Sequence, residues 1–239
     1  MNFDPDKGTV LLINKPLEWT SFDVVNKLRY AFLKNLHKFY EDAPPTKRKI
    51  KVGHAGTLDP LATGLLIVCV GKETKNIDQY MATEKEYTGT IYLGATTPSY
   101  DRETEVNQSF ETNHITEEMI NNLALEMIGE QQQLPPIFSA IKKDGKKLYE
   151  SARAGEEVEI TPRTITIFEF EITKIEMPLI DFRVVCSKGT YIRSLAFDFG
   201  KRLNSGAYLQ SLCRTRSGVY KLEDSLTIDE CLEQIYSED

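Results

Sequence analysis

Apolar residues alternate or recur along this chain in patterns that mark most of its elements. Thr9-Val10-Leu11-Leu12-Ile13 is a β-branched run broken at Asn14-Lys15-Pro16, which predicts a short strand. Val24, Val25, Leu28, Phe32 and Leu36 return at helical spacing behind Thr20-Ser21, an N-cap signal, so a helix is expected from about Phe22 into the thirties. Leu65 to Val70 is wholly apolar and reads as a strand buried on both faces. Gly71-Lys72 stops it, and a short helix carrying Ile77 and Met81 follows. Tyr87 to Leu93 alternates weakly as a strand. Thr116 caps a helix whose face is Ile120, Leu123, Ala124, Met127 and Ile128, with Gly129 as its C-terminal glycine. Between Thr164 and Ile175 the alternation runs Ile165, Ile167 and then Phe168, Phe170, Ile172, a change of phase that marks a β-bulge. Ile180, Phe182, Val184 and Cys186 give another strand, and Ile192, Leu195, Phe199 and Leu203 the inner face of a helix. Tyr208 to Arg214 and Gly218-Val219-Tyr220 suggest a final strand pair, and Thr227-Ile228-Asp229-Glu230 is a capping box opening a last helix.

The polar stretches divide differently. Ala95 to Asn113, with Pro98 and Asp101-Arg102-Glu103, reads as a long functional or mobile loop. Gln133 to Ala140 is stiffened by Pro135-Pro136, Asp144-Gly145 suggests a hairpin turn, and Leu148 to Arg153 a brief helix ended by Gly155. Several strands follow one another with no crossover helix. That favours an α+β fold, with a mixed, largely antiparallel sheet flanked by helices and loops, over a Rossmann-type layout. With no internal repeat, low-complexity tract or clear linker, a single domain over 1–239 is the simplest count.

Composition narrows the class. Hydrophobic content of 41% and charged content of 27% describe an ordinary globular protein. No apolar run approaches the roughly 20 residues that span a membrane. The polar start Met1 to Lys7 carries no secretory signal, so a cytoplasmic location is expected. Cys69, Cys186, Cys213 and Cys231 are scattered, as are the three histidines, which supports neither a zinc site nor a disulfide framework. A net charge of −7 argues against a nucleic-acid partner, but distribution outweighs the sum. Two basic runs, Thr46 to Lys51 and Lys142 to Lys147, fit either solvated faces or phosphate contacts.

Candidate chemistry concentrates in Val52-Gly53-His54-Ala55-Gly56-Thr57-Leu58-Asp59-Pro60-Leu61-Ala62-Thr63-Gly64, a segment too irregular to read as helix or strand. Pro60 biases Asp59 towards an extended backbone, and the glycines let a ligand approach closely. An active-site carboxylate and a turn aspartate bonded to its own loop both fit. Arg193 stands in the first turn of a helix, where the dipole gives a cation nothing, so an anionic partner would explain it; a surface arginine is the alternative. There is no Walker loop, dinucleotide fingerprint, Gly-x-Ser-x-Gly elbow or His-Glu-x-x-His pair.

Together these segments resemble the bacterial tRNA pseudouridine-55 synthase family (TruB). Lys15-Pro16 with Thr20-Ser21 is similar to the family's N-terminal motif, His54 to Lys75 to its catalytic segment, and Lys85-Glu86-Tyr87 to its lysine-x-tyrosine element. Pro135 to Arg153 and Thr190 to Leu195 match two further segments, so the likeness runs from about Thr9 to Tyr220. The resemblance implies the pseudouridine synthase fold and isomerisation of uridine in the tRNA T-loop, with base flipping and no cofactor or metal. It implies Asp59 as the catalytic carboxylate, Tyr87 stacked on the target uracil, and Arg193 paired with the aspartate. His54 would lie beside the flipped nucleotide, Leu212 on the apolar pocket wall, and Lys15 and Lys142 near bound RNA.

Two departures from the family pattern carry expectations of their own. Glu18 stands where the N-terminal motif usually has glycine, which bears on the local turn. The chain ends soon after Tyr220, so a C-terminal PUA-type RNA-binding domain is expected to be missing, and a basic insertion around 31–50 is expected to supply part of the tRNA grip. A monomer acting on tRNA, with no membrane or protein partner, is the resulting expectation. The rival is a non-catalytic tRNA-binding or tRNA-folding protein on the same fold. A carboxylate glycosidase would need a second acid that the sequence does not offer.

Overall fold

Strand β1 (Thr9–Lys15) leads through a turn into helix α1 (Ser21–Phe39), and β2 (Val52–Ala55) and β3 (Ala62–Val70) follow. A 3₁₀ turn and helix α2 (Ile77–Met81) precede β4 (Lys85–Leu93), then β5 (Ala95–Thr96), β6 (Gln108–Ser109), α3 (Glu117–Glu126) and β7 (Gly129–Gln133). Short strands β8 (Lys142–Lys143) and β9 (Lys146–Lys147) come next, then the long β10 (Arg163–Glu176), β11 (Leu179–Cys186) and α4 (Ile192–Arg202). β12 (Ala207–Ser217), β13 (Tyr220–Lys221) and α5 (Ile228–Tyr236) complete the chain. The coordinates are a computed structural model that describes residues 7–39, 50–139, 142–143, 146–147 and 160–237, with backbone alone at 35–39, 142–143 and 146–147. The basic run at 46–49 and the expected helix at 148–153 lie outside the described residues.

The chain folds as two compact units, Met1–Glu86 with Cys213–Asp239, and Tyr87–Leu212, whose boundaries fall inside β4 and β12. In the first unit β3 is central. β1 runs antiparallel to it from Thr9↔Val70 to Lys15↔Gly64, and β2 pairs antiparallel with residues 67–70. One face of β3 presents Leu66, Val68 and Val70 to Leu28 and Phe32 of α1 and to Cys231 and Ile235 of α5. The other presents Ile67 and Cys69, covered by Ile77 and Tyr80. Covering both faces is why Leu65 to Val70 shows no alternation, and each such buried side chain is worth about 1.5–3 kcal/mol. Thr20 caps α1: its Oγ1 accepts from Asp23 N at 3.0 Å, while Asp23 Oδ2 accepts from Thr20 N at 2.9 Å. The expected capping box at Thr227 and Glu230 opens α5.

In the second unit the strand order is β4, β11, β10, β7. β10 is antiparallel to β11 and to β7, with register shifts at Ile167/Glu169 and Ile172/Lys174. The first shift is the bulge that the change of phase implied. It carries the buried set from Ile165 and Ile167 to Phe170, leaving Phe168 at 48% exposure. Phe170 meets Phe182 edge-on at 5.9 Å between ring centroids and Phe199 of α4 at 5.7 Å, which seats the helix on the sheet.

Two expectations change. The segment 52–64 is irregular only at 56–61, since both flanks are strands. Glycines hid this: a Cβ at Gly53 would lie 2.8 Å from Ile77 Cδ1, and one at Gly64 2.4 Å from Arg214 O, so each is the price of close packing rather than a sign of loop. The stretch Ala95 to Asn113 is also more built than a long loop, for β5 and β6 pair within it and Thr97, Ser99 and Asp101 are buried. Its polar groups satisfy one another, as where Thr97 Oγ1 donates to Asp101 O at 2.6 Å.

Candidate active site

Asp59 lies on the loop 56–61, and the backbone of that loop is held at alternate residues. Arg214 on β12 donates from Nη2 to Gly56 O at 3.0 Å and from Nε to Leu65 O at 2.7 Å. Ser21 Oγ accepts from Leu58 N at 2.8 Å and donates to Leu58 O at 3.0 Å. Glu18 N donates to Pro60 O at 2.8 Å, and Ala62 N donates to Asp59 O at 3.0 Å, closing the turn. Leu58 is buried, Thr57 exposed and Asp59 half-buried. The loop can close this tightly because Gly56 and Gly64 adopt φ of +88° and +99°, a region that costs other residues about 1–2 kcal/mol. Glu18 has φ of +67°, so the turn preferred by glycine is kept with a glutamate in it.

Two buried cations hold the backbone of this loop, and one of them, Lys15, interacts with the charge of Asp59. Lys15, fully buried at the end of β1, donates from Nζ to Trp19 O at 2.6 Å and Pro16 O at 2.9 Å, with Pro60 O at 3.5 Å. Burial lowers its ammonium from 10.5 to about 8; the charge of Asp59 works against this, and Arg214 adds to it. Arg214 is 1% exposed. Its charge, after the larger effect of burial, also lowers the pKa of His54 on β2, which favours the neutral imidazole. His54 Nδ1 is buried and has no hydrogen-bond partner among the described residues.

The lowered Lys15 value makes a prediction. Between pH 8 and 10.5 the unfolded lysine binds a proton that the folded one has released, so stability from this group rises with pH across that window. Denaturant unfolding of wild type and Lys15→Met should therefore diverge from pH 8 upward, wild type gaining at most about 3 kcal/mol relative to the variant. A difference flat with pH would show that Lys15 titrates normally.

The remaining residues belong to the second unit. Tyr87 is buried near the start of β4, Leu212 half-buried on β12, and Lys142 lies on β8, where only backbone is described. Arg193 is 4% exposed, which removes the surface-arginine alternative. Within its unit it donates from Nη2 to Phe138 O at 2.9 Å and from Nη1 to Ser99 O at 3.2 Å, with Nε 3.6 Å from Asp101 Oδ2. The start of α4 is fixed by Gln133, which accepts from Tyr191 N at 2.8 Å and donates to Tyr191 O at 3.0 Å.

The structure places Lys15, His54 and Asp59 in one unit; sequence reading does not single out Arg214, Ser21 or Asp101 as site residues. Arg214 left a faint signal, a cation ending the strand-like run Tyr208 to Arg214, whereas Ser21 entered only as a helix-start serine and as part of the N-terminal motif. Among the described residues no group of three His, Cys, Asp or Glu side chains could hold a metal, and no helix is long and apolar enough to cross a membrane.

Comparison with known proteins bears on the same segments. Residues 45–192 match the model of the TruB family pseudouridylate synthase N-terminal domain. The chain is 58% identical over 222 residues to tRNA pseudouridine synthase B of Flavobacterium johnsoniae, covering 93% of each chain. It is 51% identical over 229 residues to the protein of that name from Phocaeicola vulgatus, covering 96% of this chain and 93% of the relative. Among solved structures it resembles a chain of a Cbf5–Nop10–Gar1 complex at TM-score 0.70 and 29% identity, covering 97% of this chain and 55% of that one. It also resembles a chain of an H/ACA RNP bound to a substrate RNA containing 2′-deoxyuridine, at TM-score 0.66 and 26% identity, covering 95% and 53%. This chain thus spans about half the length of those two solved chains. The expected α+β pseudouridine synthase fold stands, and the chain belongs to the TruB family of pseudouridylate synthases.

Proposed function

We propose that this protein converts uridine to pseudouridine in tRNA, at uridine 55 of the T-loop, with Asp59 as the catalytic carboxylate. The observation that carries the reading is the 58% identity with a tRNA pseudouridine synthase B over 93% of both chains. The reaction breaks the C1′–N1 bond, turns the uracil and joins C5 to C1′. It is an isomerisation with no redox change, so it balances without a co-substrate. A carboxylate can serve by attacking the sugar or the base, or by removing the C5 proton. Each role needs Asp59 ionised although half-buried, and the charge of Lys15 supports that. The target must leave its stack to reach the loop, which costs least in a loop of the RNA.

Tyr87, Arg193, Leu212, His54, Lys15 and Lys142 enter the proposal as substrate-binding residues on the strength of the family likeness. Of these, Lys15 and His54 have the support of lying in the same unit as the Asp59 loop. A monomer working in the cytoplasm fits this reading.

The test is a product map. Unmodified tRNA transcript is incubated with the protein, and pseudouridine is located by carbodiimide labelling and primer extension. One new stop at the T-loop uridine, lost when that uridine is replaced by cytidine, is expected. Stops elsewhere would reassign the substrate position, and no stop at all would leave the RNA-binding rival in place.

A further inference from the structure

We infer that Ser21 is a positioning residue for Asp59, and that helix α1 acts on catalysis through this hydroxyl. The inference rests on the reading of Asp59 as the catalytic carboxylate.

Ser21 is the first residue of α1 and is 2% exposed. A serine there ordinarily serves its own helix, but α1 is already capped by Thr20, whose Oγ1 accepts from Asp23 N at 3.0 Å. The Ser21 hydroxyl is directed instead to a residue thirty-seven positions away, where it accepts from Leu58 N and donates to Leu58 O. One side chain thus stands in for a neighbouring strand, pairing both backbone groups of a buried residue inside the loop. Leu58 immediately precedes Asp59, and the residue after Asp59 is tied to the same turn, through Glu18 N to Pro60 O at 2.8 Å. The catalytic carboxylate therefore hangs between two anchors that both come from the segment leading into α1.

This arrangement fixes geometry rather than affinity. Ser21 is buried beneath the loop, so its hydroxyl has no route to RNA. Its removal would free the Leu58 peptide to rotate and would shift Asp59 with it. A misplacement of about 1 Å at a reacting group can cost on the order of 100-fold in rate.

The experiment measures three quantities for wild type, Ser21→Ala, Ser21→Thr and Asp59→Asn: single-turnover isomerisation rate at saturating tRNA, tRNA dissociation constant, and denaturant midpoint. Ser21→Ala is expected to lower the rate by roughly 10–100-fold with affinity within about threefold of wild type. Ser21→Thr, which keeps the oxygen, should recover most of that rate. If Ser21→Ala does not fold, Ser21→Cys, which fills the space but hydrogen-bonds weakly, is read by the same criterion. A wild-type rate in the Ala or Cys variant, rate and affinity falling together, or a Thr variant as slow as Ala would each overturn the positioning role. With Asp59→Asn inactive, such a result removes the role of Ser21 alone. An active Asp59→Asn removes the reading of Asp59 and the inference with it.

Discussion

Replacing Arg214 by methionine is expected to destabilise the protein by about 2–5 kcal/mol, since it removes a buried side chain that donates to two backbone carbonyls. The guanidinium is 1% exposed and ties two points of the chain, Gly56 O at the start of the loop and Leu65 O inside β3. Methionine fills much of the volume but takes from both carbonyls the charged donor they have in this side chain, and an unsatisfied buried acceptor costs about 1–3 kcal/mol. The backbone of Arg214 itself packs closely on Gly64, which limits the room for adjustment. Arg214→Lys keeps the charge but not the two-armed reach, so it should fall between wild type and methionine. Denaturant unfolding at neutral pH reads the effect. A methionine variant within about 1 kcal/mol of wild type would show that the loop and β3 do not depend on this side chain.

How much of this was legible beforehand follows from the range of the interactions. The strand Leu65 to Val70, helix α1, the bulge near Ile167 and the capping box at Thr227 were all readable, because each is written in neighbouring residues. Asp59 stood out as a carboxylate held before proline among glycines. The grip on it was not legible. Ser21 reaches Leu58 and Arg214 reaches Gly56 only once the sheet has formed, and a serine or an arginine looks the same in sequence whatever it touches. Glycine misled in both directions. Gly53 and Gly64 suggested an irregular loop, yet both lie in strands and are small because another element passes close. Glu18 shows the converse, a left-handed turn occupied by a residue that gives no sign of it. The stretch Ala95 to Asn113 read as open loop because its polar residues bond to one another, a pairing that composition cannot reveal.

The second large effect concerns chemistry. Asp59→Asn keeps the size of the side chain and removes its charge, so the loop, anchored through backbone at 56, 58 and 60, should stay folded. Catalysis should fall by on the order of 10⁴-fold or more, as when an essential reacting group is deleted. Affinity for tRNA should hold or improve, because a carboxylate facing a polyanion contributes repulsion, not attraction. Loss of rate without loss of binding is what separates a reacting group from a structural one. The decisive measurement is therefore hydrogen release from C5 of uridine, under single-turnover conditions with unmodified tRNA labelled at that position. Wild type should release the label from the T-loop uridine in step with pseudouridine formation, and Asp59→Asn, equally folded and bound to the same tRNA, should release none above background. Release by the asparagine variant at a rate near wild type would contradict the assignment of Asp59 as the catalytic carboxylate.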